Sequence, residues 1–198
     1  LESLLPGLEA GLIREVIVAD AGSSDATRAI AGSAGASVVE ASADPLARMK
    51  AGIEAARSDW FLLLPPETAL SRDWPERVEA HIESRPDMVA VVRLRLRSDV
   101  HAARVIEART NRTARWLGLP ASEQGLLLPR ALYQEIASLT EASDRPIADL
   151  AWKAGKKRLV MLDAEARASA ARYEEGGWRS VARRDAARLV SILMGGKP

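Results

Sequence analysis

Cysteine is missing from this chain of 198 residues, and histidine occurs only twice, as His81 and His101. The lack of cysteine excludes disulfide bonds, thiolate metal sites and cysteine nucleophiles. A zinc centre is disfavoured as well, because two histidines leave few nitrogen ligands. A lone histidine is more often structural than catalytic, and His101 lies where no other feature suggests chemistry, so we assign it no role.

A large excess of charge and a long apolar run are also absent. The formal net charge is +1 at pH 7, so the overall electrostatics give no indication of a nucleic-acid partner. No apolar run reaches the length of about 18 residues that a membrane-spanning helix needs. No signal peptide is visible at the start of the chain. We therefore expect a cytoplasmic protein.

The composition that remains is that of an ordinary globular protein. Hydrophobic residues make up 47% of the chain and charged residues 28%, which is enough apolar material for a real core. The length is typical of one domain. We therefore predict a single domain over residues 1–198, without an internal repeat or a long linker.

The first half of the chain alternates strands with helices. The predicted strands are Val16–Ala19, Ser37–Glu40 and Trp60–Leu64, and the predicted helices are Asp25–Gly32, Pro45–Arg57 and Trp74–Ser84. Three alternations in this order predict βαβ units and a largely parallel sheet. The unbroken apolarity of Trp60–Leu64 favours a central strand that is covered on both faces.

The second half has a different pattern. Near the end of Met88–Arg97, apolar residues alternate with arginines, which is typical of a strand with one solvent-facing side. The other predicted elements are the helices His101–Leu117, Arg130–Ala137 and Arg145–Ala154 and the strands Leu126–Leu128 and Arg158–Leu162. The last helix, Trp178–Met194, is basic and amphipathic. Such a helix either packs back on the domain or contacts a membrane peripherally.

An acidic side chain directly follows the first predicted strand. Asp20 ends the apolar run, and a turn of small residues separates it from a helix start. In open α/β sheets, ligands bind at the carboxyl ends of the strands. A carboxylate at that edge suits a neutral hydrogen-bonding group, such as a nucleobase imide or a sugar hydroxyl, and repels phosphate. The alternative is local, with Asp20 bonding to its own backbone and Gly22 allowing the turn.

Five segments of the chain resemble family 2 glycosyltransferases of the GT-A fold, and they occur in the family's order. The first is Asp20-Ala21-Gly22-Ser23-Ser24-Asp25-Ala26-Thr27, where small bacterial members read Asp-Gly-Gly-Ser-x-Asp-Gly-Thr. The others are Arg48-Met49-Lys50-Ala51-Gly52, Gly118-Leu119-Pro120-Ala121-Ser122-Glu123-Gln124-Gly125, Ile147-Ala148-Asp149-Leu150 and Ala168-Ser169-Ala170-Ala171-Arg172-Tyr173-Glu174-Glu175-Gly176. Each match is weak alone, but the ordered set, which reaches from Leu1 to about Gly177, is specific.

This resemblance implies a fold and an activity. The fold is a mixed, mainly parallel sheet flanked by helices in three α/β/α layers. The activity is the transfer of a sugar from a nucleoside-diphosphate sugar to an acceptor hydroxyl, with inversion. The nucleotide sugar is therefore the expected donor, and the acceptor would be a saccharide or a lipid-linked molecule.

The resemblance also implies roles for individual residues. Asp149 lies where the family has its catalytic base. The substrate-binding residues would be Asp20, Gly22, Ser23, Arg48, Glu123, Gln124 and Arg172. Glu67 would hold a divalent metal ion, Mn²⁺ or Mg²⁺. The structural alternatives are a solvated side chain for Arg48, a loop carboxylate for Glu67, a polar turn for Glu123 and Gln124, a helix-start acid for Asp149 and a surface strand for Arg172.

The chain departs from the family pattern at three points. The family's first strand, which lies centrally in the sheet, should precede Leu1 and is absent. We expect that it has been omitted, because a sheet without its central strand would expose unpaired backbone groups. The metal motif is reduced to the single carboxylate of Glu67, which weakens metal binding. The acidic pair at the helix start keeps only Asp149, since Ala148 precedes it.

These departures keep two other functions open. One is a non-catalytic nucleotide- or partner-binding module, because a fold does not imply an activity. The other is a nucleotidyltransferase of similar architecture, although the glycine-rich basic loop it needs is not present in these residues. A pocket near Asp20 that both Glu67 and Asp149 face would favour the transferase.

Overall fold

The structure, a computed structural model, describes residues 1–139 and 143–194. The strands in this part of the chain are β1 (Ile17–Asp20), β2 (Ser37–Glu40), β3 (Trp60–Leu63), β4 (Ala69–Leu70), β5 (Val89–Leu96), β6 (Leu126–Pro129) and β7 (Leu159–Ala168). The α-helices are α1 (Leu5–Glu9), α2 (Thr27–Ser33), α3 (Pro45–Ala55), α4 (Trp74–Ser84), α5 (His101–Leu117), α6 (Arg130–Ile136), α7 (Pro146–Ala154), α8 (Ala171–Gly176) and α9 (Trp178–Leu193). The predicted single domain also includes residues 140–142 and 195–198, which lie outside the described residues.

The strands pair in two separate sets. β1 and β2 form a parallel pair, and the other strands pair in the order β3-β6-β5-β7-β4. β6 is antiparallel to both of its neighbours, β5 and β7 are parallel, and β7 and β4 are antiparallel. The α/β class is confirmed. The sheet has more antiparallel pairing than the strand–helix alternation predicts, because β6 enters between β3 and β5 against their direction.

Helices cover both faces of the larger sheet, which confirms the three-layer arrangement. On one face, Val89 and Val91 pack with Leu150 of α7. On the other face, Val92 packs in a cluster with Trp74 of α4. Within the described ranges, no helix is both long and apolar enough to cross a membrane.

The character of β5 changes along its length, as the sequence predicts. Val89–Val92 are buried, whereas beyond them only alternate side chains are buried. The pairing with β7 shifts register after Val92. The solvent-facing Arg93 forms ion pairs with Asp163 (3.3 Å) and Glu165 (3.9 Å) of β7. The outward arginines of this strand are therefore partly neutralised by the neighbouring strand.

In the second half, one predicted strand end and one structural alternative are wrong. β7 continues to Ala168, well beyond the predicted end at Leu162. Its later part pairs with the end of β5 and with β4, and a local pattern does not reveal such distant partners. Arg172 and Tyr173 lie in helix α8 rather than on a surface strand.

Helix α4 buries a histidine against the sheet. His81 is 2% exposed, and its Nε2 lies 3.0 Å from the carbonyl oxygen of Met88. Its Nδ1 has no hydrogen-bond partner among the described residues. Because a carbonyl only accepts, Nε2 carries the proton of the neutral ring. Burial lowers the pKa of His81, since the imidazolium would lose its hydration.

Lowering the pH from 7 to 5.5 is expected to destabilise the protein through His81. In the unfolded chain a histidine titrates near 6.5, so the unfolded state takes up a proton that the folded state resists. The free energy of unfolding then falls by up to about 1 kcal/mol. Chemical denaturation over this pH range measures the change. His81→Gln should flatten the pH dependence, whereas His101→Gln, at an exposed position, should preserve it; an unchanged dependence in His81→Gln would contradict the assignment.

Candidate functional site

A buried carboxylate in the first turn of α7 marks the candidate site. Asp149 is 5% exposed, and its Oδ1 has no hydrogen-bond partner among the described residues. It borders a small cavity of about 60 Å³, whose lining includes Arg109, Tyr173, Asp185 and Arg188. Leaving a buried polar atom unpaired costs free energy. The position of this oxygen is therefore hard to explain by packing alone.

Helix α9 forms one wall of the cavity. Asp185, Arg188, Leu189 and Ile192 of this helix line it. The Nη2 atom of Arg188 lies 2.9 Å from Oδ1 of Asp144, in the segment that leads into α7. Of the two alternatives for the basic amphipathic helix, the structure shows packing on the domain.

The Asp185 carboxylate meets three donors from α5 and α8. Arg172 donates a hydrogen bond to its Oδ1, and the Tyr173 hydroxyl donates to its Oδ2 at 3.4 Å. Nη2 of Arg109 lies 4.0 Å from the same Oδ2. Burial, together with the nearby carboxylates of Glu123 and Asp185, raises the pKa of Tyr173 to about 12. The phenol therefore stays protonated at neutral pH and remains a donor.

A chain of contacts connects Arg172 with the predicted metal loop. Nη1 of Arg172 donates to Oε1 of Glu123 at 3.2 Å, and the Thr68 hydroxyl donates to the backbone oxygen of Glu123 at 3.3 Å. The backbone oxygen of Glu67 accepts from Arg97 at 3.1 Å. The Glu67 side chain is exposed. The structure thus brings the Glu67 segment, Glu123 and Arg172 next to one another.

The predicted site residues do not share one pocket. Asp149 lines the cavity, whereas Asp20, Arg48 and Glu67 are not among the residues around it. In the part of the chain that the structure describes, no three His, Asp or Glu side chains are grouped as metal ligands would be. The common pocket that would favour the transferase is therefore not formed in this conformation.

Asp20 is held by the turn that follows it. It is 4% exposed, and its carboxylate accepts from the backbone nitrogens of Gly22 (3.2 Å) and Ser23 (3.1 Å) and from the Ser23 hydroxyl. These hydrogen bonds, the one from the Ser23 hydroxyl foremost, lower the pKa of Asp20. Gly22 has φ = +87°, a left-handed conformation that favours glycine. The local structural role considered for Asp20 is therefore present, whatever it binds in addition.

Arg48 lies on the side of α3 that faces β1. Gly52, one helical turn further along, approaches β1 closely, since a Cβ built on it would lie 3.6 Å from Cβ of Ala19. Residues four apart share one face of a helix, so Arg48 and Gly52 lie on the same side of α3. Because α3 follows β2 after a short loop, its first turn lies near the carboxyl end of that strand. Arg48 is partly buried there, near the sheet edge that carries Asp20.

Gln124 is fully buried and is used by the fold itself. It is 0% exposed, and its Oε1 accepts from the backbone nitrogen of Ala121 at 3.0 Å. Its Nε2 donates to the Val92 carbonyl at 3.0 Å and to Asn111 at 3.3 Å. These hydrogen bonds give Gln124 a positioning role for the neighbouring Glu123, and its contact with substrate stays a prediction.

Sequence reasoning missed Arg109 and Asp185. Arg109 is one of several arginines on α5, and Asp185 is a single acid on a basic helix. Neither carries a local signal, because their importance comes from contacts between α5, α8 and α9. Tyr173 adjoins the predicted Arg172 in the sequence, and only its burial and its contact with Asp185 mark it out.

The chain belongs to glycosyl transferase family 2. The family's sequence profile, described as "Glycosyl transferase family 2", matches residues 1–133. Curated protein sequences give no significant match. The family resemblance inferred from the ordered motifs is thereby confirmed.

Solved structures of similar fold include two sugar-3-phosphoglycerate synthases and S. aureus TarS. Glucosyl-3-phosphoglycerate synthase from Mycobacterium tuberculosis, in complex with Mn²⁺, UDP and glucosyl-3-phosphoglycerate, is 18% identical with a TM-score of 0.58, over 85% of this chain and 63% of that one. Mannosyl-3-phosphoglycerate synthase from Rubrobacter xylanophilus is 19% identical with a TM-score of 0.57, over 94% and 66%. S. aureus TarS is 15% identical with a TM-score of 0.56, over 79% and 51%. The GT-A fold is confirmed, and the matched part is about half to two thirds of those chains.

Replacing Gln124 by leucine is expected to lower the free energy of unfolding by about 2 kcal/mol, since it leaves the buried Val92 carbonyl and Ala121 amide without partners. Urea denaturation measures the change. Gln134→Leu makes the same substitution at an exposed position of α6, and it should cost little. Equal stability of the two variants would show that the buried amide does not hold the loop.

Proposed function

We propose that this domain transfers a sugar from a nucleoside-diphosphate sugar to an acceptor hydroxyl, with inversion at the anomeric carbon. The observation that carries the proposal is the buried Oδ1 of Asp149, which has no hydrogen-bond partner in residues 1–139 and 143–194 and lies beside a cavity, in a chain of a glycosyltransferase family. An unpartnered oxygen has a free lone pair with which to receive a proton.

Asp149 would act as the general base. The acceptor hydroxyl would lose its proton to this carboxylate while its oxygen bonds to the anomeric carbon. The bond between that carbon and the diphosphate oxygen would break, and the diphosphate would leave with the electron pair. A base must lie within hydrogen-bond reach of the proton it removes, and the cavity at Asp149 is where an acceptor hydroxyl would have to enter.

The donor would bind along the sheet edge next to β1. Asp20, with Gly22 and Ser23, would bind the nucleoside, because a fixed and ionised carboxylate suits a neutral hydrogen-bonding group. Arg48 is available for the diphosphate, since no ion pair or hydrogen bond engages its side chain among the described residues. Arg172 would meet the leaving diphosphate, with Glu123 beside it toward the sugar.

A divalent ion, Mn²⁺ or Mg²⁺, would bind at Glu67. Mn²⁺ accompanies UDP in the glucosyl-3-phosphoglycerate synthase structure. The carboxylate of Glu67 is exposed, so it could serve as a single protein ligand, with phosphate oxygens and waters as the other ligands. When bound, such an ion offsets the negative charge that develops on a leaving diphosphate.

The acceptor in this proposal is a hydroxyl of a saccharide or of a lipid-linked molecule. Peripheral membrane contact would have to use the part of α9 that faces away from the domain, where Val190 is exposed. The cytoplasmic location expected from the sequence stays a prediction.

One observation favours a non-catalytic nucleotide- or partner-binding member as second candidate. The cavity of about 60 Å³ has room for a few water molecules and is small for a hexose. In addition, Asp20 and Glu67 do not border it. Under this hypothesis the domain would bind a nucleotide and Asp149 would do no chemistry.

Asp149→Asn is expected to keep the fold and to lower the rate of sugar transfer by about 100-fold or more, because the amide cannot take the proton. The measurement is nucleoside diphosphate release from UDP- and GDP-sugars in the presence of saccharide and lipid-linked acceptors. The matched control is Asp163→Asn, at an exposed carboxylate on β7 that pairs with Arg93. A full transfer rate in Asp149→Asn would remove Asp149 from the mechanism.

Glu67→Gln is expected to remove the gain in UDP affinity that Mn²⁺ provides, by about tenfold, and to leave binding without metal unchanged. Calorimetric titration with UDP and GDP, each with and without Mn²⁺, measures the difference and identifies the preferred base. Glu76→Gln, at an exposed acid in the first turn of α4, is the control. Metal-dependent binding that persists in Glu67→Gln would place the ion elsewhere.

A further inference from the structure

Two neighbouring helices expose apolar side chains where they end. Arg109 of α5 donates to the Ala182 carbonyl of α9 at 2.9 Å, and Thr113 of α5 lines the same cavity as Leu189 and Ile192 of α9. The two helices therefore run side by side in the same direction. Near their carboxyl ends, four apolar side chains are exposed: Trp116 (66%), Leu117 (44%), Val190 (54%) and Met194 (83%). Single exposed apolar residues are normal, whereas a group of them marks an interaction surface.

Trp116 differs from the other tryptophans of the chain in its exposure. The other four are buried or partly buried: Trp60, Trp74, Trp152 and Trp178. Trp116 follows Arg112 by one helical turn, so both lie on the same face of α5. An indole ring has an apolar body and one polar N–H, which suits a boundary between water and an apolar phase.

The outer faces of α5 and α9 are positively charged. Each helix has a single acidic residue, Glu107 on α5 and Asp185 on α9. Both acids are turned inward, since Glu107 is 5% exposed and Asp185 pairs with Arg109 and Arg172. Five exposed arginines of the two helices have no ion pair within residues 1–139 and 143–194: Arg112, Arg115, Arg179, Arg183 and Arg184. This surface therefore suits an anionic partner.

We propose that this surface of α5 and α9 binds a bilayer that contains anionic lipids. Trp116, Val190 and Met194 would enter the headgroup region, and the five arginines would meet the lipid phosphates. Interfacial helices combine a basic face with tryptophan and aliphatic side chains in this way. Packing on the domain uses the other face of α9, where Val181 is 1% exposed, so α9 can make both contacts at once.

The mixture of apolar and basic side chains favours a lipid surface over two other partners. A nucleic acid would engage the arginines, but it would leave Val190 and Met194 in water. A second copy of this chain, bound through a twofold contact, would place the same arginines against each other, and like charges oppose such an interface. Binding to a bilayer does not require sugar transfer, so this proposal and the proposed function can fail separately.

The test is co-sedimentation of the full chain with vesicles of phosphatidylcholine, alone or mixed with phosphatidylglycerol. The mixed vesicles should bind at least about tenfold more tightly, and added salt should weaken that binding. Arg112→Gln combined with Arg183→Gln should lower the affinity by about 25-fold, at about fivefold for each arginine. The matched control is Arg72→Gln combined with Arg85→Gln, which removes the same charge at exposed positions on either side of α4. Because α4 lies on the opposite face of the larger sheet, the control should bind much as the wild type does.

Trp116→Ser tests the apolar part of the surface. It should lower the affinity for mixed vesicles by about tenfold and should keep the fold, since the side chain is exposed. Trp116→Phe keeps an aromatic ring and should stay closer to the wild type. Mixed vesicles should shift the tryptophan fluorescence of the wild type to shorter wavelength, and this shift should be lost in Trp116→Phe.

The proposal is overturned if mixed vesicles bind no more tightly than neutral ones, or if the Arg112 and Arg183 double variant binds as the wild type does. Salt-sensitive binding that Trp116→Ser leaves unchanged would also overturn it, because the surface would then be purely ionic. A dimer in sedimentation velocity that Trp116→Ser dissociates would assign the surface to a second copy of the chain instead.

Discussion

The backbone of β5 beyond Val92 is the constraint on which the candidate site depends. β6 pairs with β5 near Ala90, and no other strand of the described residues lies along the rest of that edge. Side chains complete it instead: Asn111 accepts from the Leu94 amide at 2.8 Å and donates to its carbonyl at 3.1 Å. Glu107 accepts from the Leu96 amide at 2.7 Å. A buried backbone group needs a partner, and here α5 supplies it as a strand would.

This substitution of a helix for a strand fixes the surroundings of Asp149. Because α5 is tied along β5, its Arg109 is held at the cavity between α7 and α9. Gln124 also joins the network, through Val92 and Asn111, so the loop that carries Glu123 is pinned to the same strand. The residues proposed to bind and react are therefore positioned by hydrogen bonds to one strand, and a change in those bonds would reach the site through α5 and this loop.

The parts of the fold that could be predicted were those in which neighbouring residues decide the structure. A few consecutive residues determine each of three features: the strand that ends at Asp20, the turn after it and the start of the helix that carries Asp149. The sequence located all three correctly. The direction of β6, the extension of β7 and the role of Gln124 depend on partners far along the chain. An amide that is polar in the sequence and 0% exposed in the structure has no local signature, and the same holds for Asp185 on its basic helix.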